Sequence, residues 1–197
     1  TFNNTAVVSG ATYKTDRFGY GNSSLSFDGK NSKVTASNSA QLNSAFTTIS
    51  FWVNVVSLPA QGEVYLLSNG GWQERWKISL PAHGKPVFTT HATSCCNDMD
   101  SGTGNELKPG VWKHVVMIHD GTVDRMYMNG VKVNQKAYAG ALKSTIHPLG
   151  IGYDPIDKGS YFDGQLDDIE IYNYAFTDQE VTAMYTTQAK FPGIENA

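Results

Sequence analysis

Asp167 and Asp168 stand side by side in Gly164-Gln165-Leu166-Asp167-Asp168-Ile169-Glu170-Ile171-Tyr172. Acidic side chains beside an apolar run must be hydrogen-bonded, metal-bound or catalytic, because an unpaired buried charge is too costly to keep. Asp168 and Glu170 are two residues apart and would share one face of a strand, the nearest approach to an acid–base pair in the chain.

A different chemistry is written into Gly70-Gly71-Trp72-Gln73-Glu74-Arg75-Trp76. Sugar recognition wants an aromatic face for C–H surfaces and polar side chains for hydroxyls, and Trp72, Gln73, Glu74 and Arg75 supply both. Trp76 reads as the start of a strand and hence as core. Downstream, residues 91–106 run from His91 through Cys95, Cys96, Asn97 and Asp98 to Glu106. Long loops on rigid scaffolds carry specificity, so this one is expected to line a site. If the two cysteines join, their Cα atoms, about 3.8 Å apart across a trans peptide, are closer than the roughly 4.4 Å minimum of ordinary bridges. Such a bridge is strained and easily reduced, and it forms a flat apolar plate for a sugar ring; two free thiols are the alternative. Tyr153, Asp154 and Tyr161 are candidates for the rim. Asp98-x-Asp100-x-Gly102 lacks the calcium-loop spacing. None of the five histidines has metalloprotease spacing. His114 reads as core, His83 and His119 as turn residues.

The elements that would hold these residues are short strands. With 197 residues the chain fits one domain, and 19 glycines with only 17% charged residues suit an all-β class. We expect one domain over residues 1–190 and a tail over 191–197, with the chain, which opens on Thr1 without a leader, read as a mature or excised piece. A net charge of −3 and a pI near 5.9 offer no basic surface, so neither nucleic acid nor membrane is an expected partner. No apolar run approaches a membrane span.

Strand patterns fall at 5–13, 24–27, 32–36, 46–56, 64–67, 75–80, 86–91, 111–119, 124–128, 131–136 and 149–152. In 46–56, Ile49, Phe51, Val53 and Val55 share one face, and one face must be core. Asp120-Gly121 and Asn129-Gly130 are hairpin signals that make 111–136 a three-stranded meander. Residues 177–187 alone look helical, with Thr177 as N-cap and Glu180 completing a capping box.

Six stretches resemble the laminin-G-like or pentraxin-like jelly rolls of the concanavalin A-like lectin and glucanase superfamily, in that family's order. They are Leu25-Ser26-Phe27-Asp28-Gly29-Lys30-Asn31, Ile49-Ser50-Phe51-Trp52-Val53, Trp112-Lys113-His114-Val115, Asp124-Arg125-Met126-Tyr127-Met128-Asn129-Gly130, Leu149-Gly150-Ile151-Gly152 and Phe162 to Asn173. The resemblance implies a two-sheet antiparallel β-sandwich (jelly roll) with one short C-terminal helix. An aromatic-rich first strand of the family is missing: either the domain boundary was cut late, or another segment supplies the strand, without which the exposed edge would be a liability. It also implies a structural calcium held by Asp28, Asn31, Asp167 and Asp168, since hard oxygen ligands suit that ion. The alternative is that one Asp caps turn amides and the other is solvated. Glucanases of this superfamily carry Glu-x-Asp-x-x-Glu, and no glutamate here starts that pattern. Its alginate lyases use a Gln-x-His strand, whereas Thr145-Ile146-His147 reads as loop.

These readings converge on a non-catalytic carbohydrate-binding module of a secreted or cell-surface multidomain protein, stabilised by calcium. Its expected ligand residues are Trp72, Gln73, Glu74, Arg75, His91, Cys95, Cys96, Asn97, Asp98, Tyr153 and Asp154. A protein-binding adhesion module and a divergent lyase or hydrolase are the rivals.

Overall fold

The computed structural model describes residues 5–190; residues 1–4 and 191–197, the expected tail, lie outside the described residues. Two seven-stranded antiparallel sheets face each other. The first runs β1 (Ala6–Ser9), β4 (Lys33–Ala36), β13 (Leu149–Ile151), β6 (Glu63–Asn69), β7 (Trp76–Pro81), β8 (Val87–Thr90) and β9 (Asn97–Asp100). The second runs β12 (Val131–Ala137), β11 (Val123–Met128), β10 (Lys113–His119), β5 (Thr47–Val55), β14 (Asp163–Tyr172), β3 (Ser24–Asp28) and β2 (Thr12–Lys14). The expected jelly-roll sandwich is therefore present, with one helix of length, α2 (Asp178–Gln188), and a single turn, α1 (Gly71–Glu74).

Alternation builds the core. Ile49, Phe51, Val53 and Val55 of β5 point inward with Leu66, Ile78, Leu80, Phe88, Val115, Met117, Met126 and Leu166. The opposite face of β5 is covered too. Val116, Ile118, Tyr127, Phe176 and Val181 form a second apolar cluster beneath α2, so each fully buried Val or Phe adds about 1.5–3 kcal/mol of hydrophobic stabilisation. The capping box at Thr177 and Glu180 forms as the sequence predicts.

The meander is also as expected. Asn129 and Gly130, at φ +50° and +77°, make the tight turn between β11 and β12. Asp120 accepts the Thr122 and Val123 amides in the turn before β11.

Three departures bear on the site. Residues 5–13 are two strands: at Gly10, φ +72°, the chain leaves the first sheet as β1 and enters the second as β2. β1 lies at an edge of the first sheet, with Val7 and Val8 exposed. Residues 97–100, read as loop, are the edge strand β9, in register with Thr90 to Val87 of β8. His119 is no turn residue; it is buried at the end of β10, where its Nδ1 meets Asp124 at 2.7 Å.

Candidate functional site

The aspartate pair sits where β14 bulges. Pairing with β5 slips between Asp167 and Glu170, and Asp168 takes φ +43°. Regular alternation would point neighbouring aspartates to opposite faces. The bulge instead lets one cation receive both: Arg17 Nη1 donates to Asp167 at 2.8 Å and Nη2 to Asp168 at 2.7 Å. Arg17 is presented by a turn in which Asp16 accepts the Phe18 and Tyr20 amides. Its guanidinium lies 4.4 Å from the Phe18 ring and 4.3 Å from the Trp52 ring, a cation–π setting. Nη2 also reaches the Gln188 carbonyl at 2.9 Å, tying α2 to the sheet. Burial, and after it the Asp168 charge, push the Asp167 carboxyl upward, while Arg17 pulls it down.

The expected calcium ligands do not fit one site. Asp28 lies opposite Asp163 in the β3–β14 pairing, which leaves Asp167 four positions along the strand, roughly 13 Å away. Asp28 Oδ1 accepts from the Lys30, Asn31 and Ser32 amides at 3.0–3.1 Å and from the Ser32 hydroxyl at 2.7 Å. These donors hold its carboxyl well below the usual carboxylate range, the Ser32 hydroxyl first among them. Asn31 contributes a backbone N–H to this turn. The positive charge that the sequence reading assigned to calcium belongs, at the aspartate pair, to Arg17.

At the other constellation the polar groups are open. Gly70 and Gly71 take φ +76° and +58° and start α1, and a Cβ on Gly70 would lie 2.7 Å from Thr145 Oγ1, so glycine permits the close approach of residues 143–147. Trp72, on that turn, is 46% exposed. The Cys95 and Cys96 sulfurs are joined and lie 4.0 and 3.3 Å from the Trp72 carbonyl oxygen. Glu74 accepts the Thr145 hydroxyl and lies 3.4 Å from His147 Nε2. His91 Nδ1 donates to the Gln73 carbonyl at 2.8 Å. A carbonyl only accepts, so Nε2 is left to receive the Lys143 ammonium at 2.8 Å. Beside these groups opens a cavity of about 430 Å³ lined by Gln73, Glu74, Lys143, Ser144, Thr145 and Ile146.

Four expected ligand residues serve the scaffold instead. Arg75 is fully buried and props two loops, Nη1 donating to the Lys143 carbonyl and Nη2 to the Ser44 carbonyl, both at 2.5 Å; burial brings its pKa down to about 10. Asn97 is buried and donates to Asp124 at 2.6 Å, alongside Thr90 and His119. Tyr153 is buried with its hydroxyl 2.7 Å from Thr35 Oγ1. Asp154 is buried and caps Ile156 N, and burial raises its carboxyl. Asp98 stays exposed on β9, where it accepts the Thr89 hydroxyl at 2.6 Å. Trp72, Gln73, Glu74, His91, Cys95 and Cys96 do come together.

A family model described as concanavalin A-like lectin/glucanases superfamily matches residues 28–182. The chain belongs to that superfamily. A search of curated proteins finds no match. Among solved structures this superfamily member is similar to the binding domain of Paraclostridial mosquitocidal protein 1, with TM-score 0.77 and 20% identity over 94% of this chain and 48% of that one. The botulinum neurotoxin serotype G binding domain follows with TM-score 0.74 and 16% identity over 95% and 47%. A serotype D ligand binding domain in complex with N-acetylneuraminic acid gives 0.71 and 14% over 94% and 46%. The chain thus spans about half the length of these structures, and the likeness establishes the fold.

The sequence reading missed Lys143, Ser144, Thr145 and Ile146. They lie in the loop between β12 and β13, without a motif or a periodicity to mark them. Thr145-Ile146-His147 is loop, as read.

Proposed function

We propose that this chain is a non-catalytic carbohydrate-binding module, part of a larger extracellular or cell-surface protein. Its ligand lies over Trp72 and the Cys95–Cys96 bridge and extends into the cavity beside Glu74 and Lys143. The observation that carries the reading is the exposed Trp72 indole on a turn whose carbonyl lies against the bonded sulfurs and whose next residues, Gln73 and Glu74, line the cavity with Lys143 and Ser144. An aromatic plate beside hydrogen-bonding side chains in a half-open cavity is what a sugar ring requires. That one similar domain was solved with N-acetylneuraminic acid, and that the others are named for binding, supports a glycan over a substrate. The carboxylates argue the same way. Asp168 is paired with Arg17, and Glu170 accepts from Tyr172 and Gln188, which leaves no opposed acid and base on β14. Among the described residues no helix is long and apolar enough to cross a membrane.

A glycan array carrying neutral, uronic-acid and sialylated structures tests the proposal. We expect saturable binding to a restricted set, weakened by about 10- to 100-fold in Trp72→Ala and retained in Glu170→Ala. A blank array, or turnover of a bound polysaccharide, would overturn it.

A further inference from the structure

The loop that carries Cys95 and Cys96 holds a second chemistry that sugar stacking does not use. A His91 ring nitrogen and the two sulfurs all lie within 4.8 Å of one another, and among the described residues no other three His, Cys, Asp or Glu side chains gather so closely. Cys95 is exposed and Cys96 half-buried, so a reductant can reach the bond. Two equivalents of a thiol reductant, which become its disulfide and pass on two electrons and two protons, or one phosphine with one water, which become the phosphine oxide and likewise yield two electrons and two protons, break the S–S bond into two thiols. Two thiolates and one imidazole are the donor set of soft and borderline cations, tetrahedral zinc and cadmium above all.

We propose that the reduced chain binds one zinc-class thiophilic divalent ion through Cys95, Cys96 and His91, with water in the remaining position. Binding displaces the two thiol protons. The scaffold holds His91 and the backbone on either side of the two cysteines in place. His91 is buried, its amide donates to the Arg75 carbonyl at 2.7 Å, and its carbonyl accepts the Lys143 amide at 3.0 Å. The Tyr138 hydroxyl fixes the chain before the cysteines, accepting from Ala92 N at 2.9 Å and donating to the Ser94 carbonyl. Asn97 fixes it immediately after them through Asp124. The one obstacle is Lys143. Its ammonium occupies the His91 Nε2 lone pair at 2.8 Å and repels a cation, but the side chain is exposed and free to swing into solvent. Lys143 is therefore the gate of the site. Because the site uses the cysteines in their other oxidation state, its failure would leave the glycan reading of the oxidised chain untouched.

The test is a cadmium titration of the chain with the bridge intact and after anaerobic phosphine reduction, following thiolate-to-metal charge-transfer absorption and stoichiometry by calorimetry. The reduced chain is expected to take up one equivalent with a charge-transfer band, the oxidised chain none, and Cys96→Ser to lose the site. His91→Gln, which removes a ligand, is expected to weaken binding by at least about tenfold, and Lys143→Ala to strengthen it by about tenfold, the scale on which neighbours of a ligand tune metal affinity. The Lys143 variant removes only an exposed side chain, so it stays informative if His91→Gln does not fold. No band after reduction, an equal band in the oxidised chain, or an affinity indifferent to Lys143→Ala would overturn the proposal.

Discussion

Two polar clusters flank this sandwich, and they differ in how their hydrogen bonds are spent. Around Asp167 and Asp168 the side chains are turned on one another: Arg17 bridges both carboxylates and reaches α2, and its guanidinium is enclosed by Phe18 and Trp52. Beneath it His114, Trp52 and Tyr185 stack, with His114 Nε2 bonded to Ser50 at 2.8 Å. Around Trp72 the scaffold bonds are made by backbone carbonyls and by buried Arg75, while the indole, Glu74 and Lys143 keep faces toward solvent. The first cluster is a latch that closes α2 over the second sheet. The second is a surface whose remaining valence is directed outward. Residue type alone draws the eye to the paired acids, because nothing in the sequence marks an Arg17 that lies 150 residues from its partner.

The comparison can be broken most forcefully at the latch. Arg17→Met keeps the stem but leaves Asp167 buried beside Asp168 without a counter-charge; such a break costs about 3–5 kcal/mol. Urea denaturation should register that loss while the folded fraction still binds glycan. A stability unchanged by this substitution would mean that the latch is decorative.

Acid probes the same cluster. Burial, reinforced by the Arg17 charge, lowers the His114 pKa from 6.5 to about 4. Below about pH 6.5 the unfolded chain takes up a proton that folded His114 refuses until about pH 4, so stability falls as pH drops through that window. The contribution is about 3 kcal/mol, at 1.36 kcal/mol per pKa unit. His114→Gln should flatten this part of a melting-temperature profile.

Smaller effects sharpen the boundary of the latch. Thr177→Ala removes the N-cap whose hydroxyl accepts Glu180 N at 3.2 Å and should cost about 1 kcal/mol in thermal melting. The smallest shift is expected from chelation. With Arg17 holding Asp167 and Asp168, and turn amides filling Asp28 Oδ1, adding EDTA should leave the melting midpoint where it was; a fall of several degrees would restore calcium to the account.

The fold was readable because its rules are local and periodic. Alternation in residues 46–56, Asn129-Gly130 and the Thr177–Glu180 capping box each encode an element within a few residues. The site was readable only where exposure follows from position, as for Trp72 on its glycine turn. Arg75 and Asn97 looked like ligands because they are polar and near loops, and only tertiary packing turns one into a buried prop and the other into a partner of Asp124. β9 escaped notice because its inward positions are Asn97 and Met99 rather than two apolar residues. Lys143 enters the site through a loop with no signal of its own, brought there by Arg75 and His91.

The central claim is that recognition resides at the Trp72 end and not at the aspartates. Isothermal titration of one array-positive oligosaccharide into the wild-type chain, Trp72→Ala and Asp168→Asn tests it most directly. The account predicts a loss of about 10- to 100-fold in affinity for Trp72→Ala, as for a stacked anchor residue, and unchanged affinity for Asp168→Asn. Binding that survives Trp72→Ala and fails in Asp168→Asn would contradict it.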